Sequence, residues 1–174
     1  MAEPFEWRKW LDGYGVDAPS VLDAAEAARR RGAINKRELL RIAYWKSSRA
    51  AGTLSSNLRG TSAETFICKL PLTASDQELL NRLCCVRGVS VSVASAVLSL
   101  MYPERFAVTD WRARDELNRI KKGYQGVNSK TNYLDEYLPR VRELAQQHGL
   151  TPRKVDQALW ARSRERSIER LIEG

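Results

Sequence analysis

Histidine is almost missing from this 174-residue chain, with His148 the single instance. Zinc centres are built from histidine and cysteine at characteristic spacings, so a zinc site is not what organises this protein. Cysteine is scarce as well: Cys68, Cys84 and Cys85 are all there is. An odd number, two of them adjacent, makes a poor disulfide framework and suits a reducing compartment. Without a four-cysteine array the chain has no ligand set for an iron–sulfur cluster, and the thiols read as small core residues. No apolar run approaches the ~20 residues that a membrane-spanning helix needs. The beginning of the chain mixes Glu3, Glu6, Arg8 and Lys9 with aromatics and has no apolar stretch of the secretory kind. There is no internal repeat and no low-complexity tract. The expectation is a soluble, intracellular, cytoplasmic protein with no membrane partner.

Acidic charge is in deficit. Lys and Arg number 29 against 21 Asp and Glu, a formal net charge of +8, and the pI is about 9.7. Such a surplus suits a polyanionic partner, because neutralising phosphates releases counterions whatever the base sequence. Ribosomal, membrane-surface and simply basic proteins share the signature, so charge speaks of partners and not of fold. With 43% hydrophobic residues the chain buries a real core and is no disordered polycation. The length fits one domain over 1–174, or two small lobes sharing a core.

The punctuation is helical almost throughout. Helix starts are predicted at Ser20, at Asn35 with Glu38, at Thr61 with Glu64, at Ser75 with Glu78, and at Thr151 before Pro152. In each, a side chain is placed to satisfy an orphan amide of the first turn, or proline pre-sets it. Stops are predicted at Gly32, Gly52, Pro71, Pro103, Gly123 and Gly149. Between them apolar residues recur at three and four, as in Leu39, Leu40 and Ala43, or Val93, Val97 and Met101, or Val155, Leu159 and Trp160. Alternation of period two is confined to 88–93. The reading is an all-α fold, a two-lobed helical bundle of eight to ten helices without a sheet, one lobe made from both chain ends and the other from the centre. The long polar stretch 121–132, with Gly123, Gly126 and Lys130, is a connector or a nucleic-acid-contacting loop.

Residues 79–110, LLNRLCCVRGVSVSVASAVLSLMYPERFAVTD, carry the chemistry. An apolar helix runs to a tight turn at Gly88, a residue free of Cβ sterics, and a second helix follows. The turn's backbone amides and the start of the second helix make a seat for a phosphate, with Arg87 adding charge. On the second helix Ser92, Ser95 and Ser99 share one face. Such a small polar stripe lets another backbone approach closely, whether a neighbouring helix or DNA.

On these residues the chain resembles the helix-hairpin-helix superfamily of base-excision DNA glycosylases, as a divergent member. Gly88 and Val89 match the first glycine and hydrophobic residue of the family's hairpin, and Val93 and Ala94 match the opening of its second helix. Ser90 stands where the family usually has a second glycine. Asp110, reached through PERFAVTD, follows Ser92 by 18 residues, at the interval where the family places its aspartate. The resemblance implies a helix-hairpin-helix over 79–102 that binds one DNA strand through Arg87, Gly88, Val89, Ser90, Val91 and Ser92. It also implies a hairpin that often holds a monovalent cation. The scarcity of cysteine and histidine leaves no other cofactor expected, an iron–sulfur cluster of the kind some glycosylases carry included. Ser92 takes the position of the lysine that forms an imine with the sugar in bifunctional members. Serine cannot do so, which leaves monofunctional chemistry on Asp110. Its carboxylate would stabilise the positive charge developing on deoxyribose and orient or deprotonate the attacking water. Asp110 also reads as an N-cap for the helix that follows, and the two roles are compatible.

Lys46 is the lysine that would restore imine chemistry, because it continues the apolar stripe of Leu39 and Ala43 and is either at the stripe's edge or facing a cleft. A flipped base needs flat partners, for which Tyr44, Trp45 and Trp111 are the expectation, with Trp7, Trp10 and Trp160 assigned to the core. The closing run Arg153, Lys154, Arg162, Arg164, Arg166 and Arg170, interleaved with Glu165 and Glu169, reads as a solvated helix face. The leading expectation is a monomeric DNA glycosylase associated with the nucleoid. Its rivals are a DNA-binding module that kept the hairpin without the chemistry, and a helical protein–protein adaptor.

Overall fold

The computed structural model of the protein describes residues 5–63, 65–120 and 129–173. Along the chain come α1 (Trp7–Tyr14), α2 (Pro19–Arg31), β1 (Ala33–Asn35), α3 (Lys36–Lys46), α4 (Ser48–Asn57), β2 (Ile67–Lys69), α5 (Asp76–Cys84), α6 (Val91–Met101) and α7 (Trp111–Ile120). Then follow α8 (Lys130–Asn132), a π-helical turn (Tyr133–Tyr137), α9 (Leu138–His148) and α10 (Pro152–Glu173). The fold is all-α. Among the described residues its one departure is the antiparallel ribbon of β1 and β2, with Ile34 opposite Cys68, which corrects the expectation of no sheet.

Most boundaries follow from local chemistry. Asn35 and Glu38 form a reciprocal capping box, each side chain accepting from the other's amide at 2.9 Å, and α3 begins there. Ser75 opens α5 and Thr151 opens α10 by the same kind of bond. Gly32 and Gly149 end α2 and α9 in the left-handed conformation. Several expectations are corrected. Helix α2 begins at Pro19, with Ala18 and not Ser20 before it, because proline at the first position needs no amide partner. No helix starts at Thr61, where the chain instead approaches β2. Gly52 lies inside α4. Of the polar stretch 121–132, residues 121–128 lie outside the described ones, Gly123 and Gly126 included. Ser129 caps the short α8, and Lys130 bonds Asn81 at 3.1 Å.

Helix α6 is the centre of the molecule. It is apolar nearly all round, and a helix of that pattern has to be enclosed by others. Helices α2, α3 and α5 pack about it, and α4 packs on α3. The two chain ends meet, with α1 and α7 against α10, and α9 beside them. The core runs through both groups as one cluster containing Leu39, Leu83, Val97, Phe106, Leu117 and Leu159.

Candidate functional site

The chain from Ala107 to Thr109 is buried and belongs to no helix or strand, which leaves its backbone amides and carbonyls without partners in regular structure. Side chains from three elements take them up. Tyr133 Oη donates to the Ala107 carbonyl at 2.9 Å, and Tyr137 Oη to the Val108 carbonyl at 2.7 Å. The Val108 amide donates to Asp156 Oδ2 at 2.7 Å. The Thr109 amide donates to Ser95 Oγ at 3.0 Å, and Ser92 Oγ donates to the Thr109 carbonyl at 3.0 Å. Ser92 and Ser95 of the α6 stripe thus hold the segment that carries Asp110, while Ser99 donates to the Ala96 carbonyl of its own helix.

Asp110 emerges from this cradle with its two oxygens divided. Oδ1 accepts from the Ala113 amide at 3.0 Å and so caps α7. Oδ2 lies 3.0 Å from Lys46 Nζ, and both side chains are mostly enclosed. Lys46 is the last residue of α3, 64 positions away in sequence. The pair stands between two hollows. One is a cleft of about 270 Å³ between Trp45 of α3, Trp160 and Arg164 of α10, and Val16 in the α1–α2 connection. The other is a wider groove holding Arg49, Ser92, Trp111, Arg112 and Arg114. Lys46, Asp110 and Trp160 line both.

The cleft is also lined by an ionic network of Tyr14, Asp17, Arg153 and Asp156. Arg153 Nη2 donates to both oxygens of Asp17, at 2.8 and 2.9 Å, and to Tyr14 Oη, while Nη1 pairs with Asp156. The guanidinium sits 5.4 Å from the ring centroids of both Tyr14 and Trp45. Burial pushes the Asp156 carboxyl up to about 7, against the lowering effects of Arg153 and the Val108 amide, with Asp110 and Asp17 adding to the rise. Burial disfavours charge on Arg153, but Asp156, Tyr14 and Asp17 outweigh it and the group is held firmly protonated. Burial also raises the Tyr14 phenol, which stays neutral.

The outer groove has a different electrostatic source. Ser47 caps α4, Ser90 caps α6 and Asp110 caps α7, and all three line the groove. Three helix starts therefore direct their positive ends at one place, beside Lys46, Arg49, Arg112 and Arg114. Between α5 and α6 the chain turns at Gly88, whose φ of +96° suits glycine. A Cβ there would lie 2.6 Å from Asn57 Nδ2 and 3.3 Å from Leu54 Cα, so the turn is also pressed against α4.

The structure thus brings Lys46, Asp110 and Trp45 together. It places the others less uniformly. Tyr44 lines neither hollow and is 69% exposed, since two residues along a helix is a rotation of about 200° from Lys46. Trp111 lines the groove and not the cleft. Of the turn residues, Arg87 and Ser90 face solvent, Ser92 is half-buried, and the Val89 and Val91 side chains belong to the core. The Val89 amide donates to the Val86 carbonyl at 3.0 Å, so it is spent within the turn. The Ser90 hydroxyl caps α6 by accepting from Val93.

Trp160, read as core from its periodicity, is a wall of both hollows. Arg153, read as part of a solvated face, is 6% exposed. Tyr14, Asp17 and Asp156 were not foreseen. An arginine and an aspartate spaced by three, astride the apolar Val155, were the signal that could have found the last pair. Among the described residues no cluster of His, Cys, Asp and Glu could hold a metal ion, and no helix is long and apolar enough to cross a membrane. Comparison of the chain with protein-family models, with curated proteins and with solved structures finds no match.

Proposed function

We propose that the protein is a DNA N-glycosylase that releases a modified or damaged base, with Asp110 as the acting carboxylate. The observation that carries this reading is the meeting of Asp110 and Lys46 at 3.0 Å between an aromatic-walled cleft and a basic groove. A cleft of about 270 Å³ is at the small end for ligand sites, which suits a single base and not a whole nucleotide. Trp45 and Trp160 supply flat walls for an extruded base. The groove, with three helix starts and its arginines, takes the strand's phosphates, and the solvent-facing Arg87 and Ser90 of the turn are further contacts for the backbone.

In the reaction the bond from C1′ to the base nitrogen breaks, and its electron pair leaves with the base. Asp110 stands against the positive charge growing on the sugar, and the attacking water passes a proton to it as the new C1′–O bond forms. Lys46 holds the carboxylate in place. A second chemistry is open at the same contact. Lys46 passes a proton to Asp110, and its amine attacks C1′ as the bond to the base breaks and the electron pair leaves with the base. Opening of the sugar ring at O4′ then gives the imine that Ser92 cannot form.

Base release is measured across duplexes bearing alkylated, oxidised, deaminated and hypermodified bases. Asp110→Asn is expected to lower release by about 10²–10⁴-fold with DNA binding retained. Undiminished release from that variant overturns the mechanism. Salt-sensitive DNA binding excludes an adaptor, the same binding with no release from any substrate selects a binding module, and no DNA binding at all overturns both DNA readings. Borohydride trapping of a covalent complex that Lys46→Ala removes selects the amine over water.

A further inference from the structure

Trp111 is the first residue of α7, immediately after Asp110, and it is 59% exposed. A large indole left in water beside the site needs a reason, and packing does not supply one: the ring is outside the core cluster. It is nevertheless held. The Arg112 guanidinium lies 4.3 Å from its centroid, and Arg112 Nη1 donates to Ser167 Oγ of α10 at 3.0 Å. A cation tied to a neighbouring helix therefore braces the indole at the edge of the groove, so the ring's position is set before anything binds. Its surroundings, Arg49, Arg112 and Arg114 with Ser90 and Ser92, suit a nucleic-acid backbone and not an apolar partner.

We infer that Trp111 is a stacking wedge, which enters the base stack of a duplex at the step from which the target nucleotide has swung out and packs on the base left unpaired. This rests on the base-excision reading. Extruding a base removes its stacking from both neighbours and its pairing from the opposite base, and an aromatic plane inserted at the gap replaces part of that loss. The braced, exposed indole next to Asp110 provides the plane. Trp45 lines only the cleft that the extruded base itself would occupy, and Trp160, which lines both hollows, is the opposite wall of that cleft.

The test compares affinity for a duplex containing one stable abasic analogue, tetrahydrofuran, with affinity for the same duplex fully paired. The wild type is expected to prefer the abasic duplex. Trp111→Ala is expected to lower that ratio about tenfold, the scale of one lost base–aromatic stack, and Trp111→Phe to retain most of it. Circular dichroism checks that both variants fold. An unchanged ratio in Trp111→Ala, or no preference in the wild type, overturns the wedge while leaving base excision standing. Failure of the wild type to bind either duplex overturns both.

Discussion

Asp110 divides two regions built on opposite terms. On its inner side, from Ala107 to Thr109, the carbonyls of Ala107, Val108 and Thr109 and the amides of Val108 and Thr109 are bonded to side chains of α6, α10 and the π-helical turn. The charges lining the cleft wall, Asp17, Arg153 and Asp156, are paired with one another. On its outer side the next residue is an exposed tryptophan in a groove of arginines and helix starts. Apart from Arg153 Nε, the inner region spends its polar groups on itself, which fixes one carboxylate in one position. The outer region keeps its positive potential directed outward, which is useful only if something negative arrives. Under the proposed base-excision function, a site that holds a reacting group rigidly and still admits a long polyanion needs both.

The sharpest way to break this contrast is to remove Arg153. Arg153→Ala strands Asp17 and Asp156 in the interior, and the expected loss is about 3–5 kcal/mol of stability by chemical denaturation. A loss under about 1 kcal/mol would mean that the inner region does not depend on its ionic network.

The next effect is in pH. Burial lifts Asp156 from its ordinary 3.8 to about 7. A carboxyl that protonates more readily when folded stabilises the fold at pH below its ordinary value, and that stabilisation is lost as pH rises through about 7. Between pH 4 and 8 the wild type should therefore lose stability relative to Asp156→Asn, which does not titrate. Parallel stability curves for the two would place the titration elsewhere.

The smallest effect sharpens the contrast from outside. Arg49→Ala should leave stability within about 0.5 kcal/mol of wild type. The same variant should reduce the slope of log affinity against log salt for DNA by about 1, as one phosphate contact is lost. A stability loss without a change in slope would make Arg49 an inner residue by behaviour.

Much of the fold was legible in the chain because helix ends obey rules that act over three or four residues. The Asn35–Glu38 box, the Ser75 and Thr151 caps and the Gly32 and Gly149 stops are local bonds, and each stands where it was expected. The errors are local too, and instructive. Thr61 has the capping spacing but opens no helix, and the residues after it pair with β1, which comes from far back in the chain. Gly52 is accommodated in α4, where a glycine's cost of about 1 kcal/mol is small against the packing of that helix on α3.

For the candidate site the division is cleaner. The sequence alone determined that Gly88 turns the chain between two helices, that Asp110 starts a helix, and that Lys46 continues an apolar stripe. Periodicity shows which face of a helix is apolar, but not which other element that face will meet. Only the tertiary structure decided that Lys46 meets Asp110 across 64 positions, and that Ser92 and Ser95 receive the segment carrying Asp110. It also decided that Arg153 is buried among carboxylates while Trp111 is left in water. These contacts depend on how the helices and the β-ribbon share one core around α6, a global packing solution that no run of a few residues encodes.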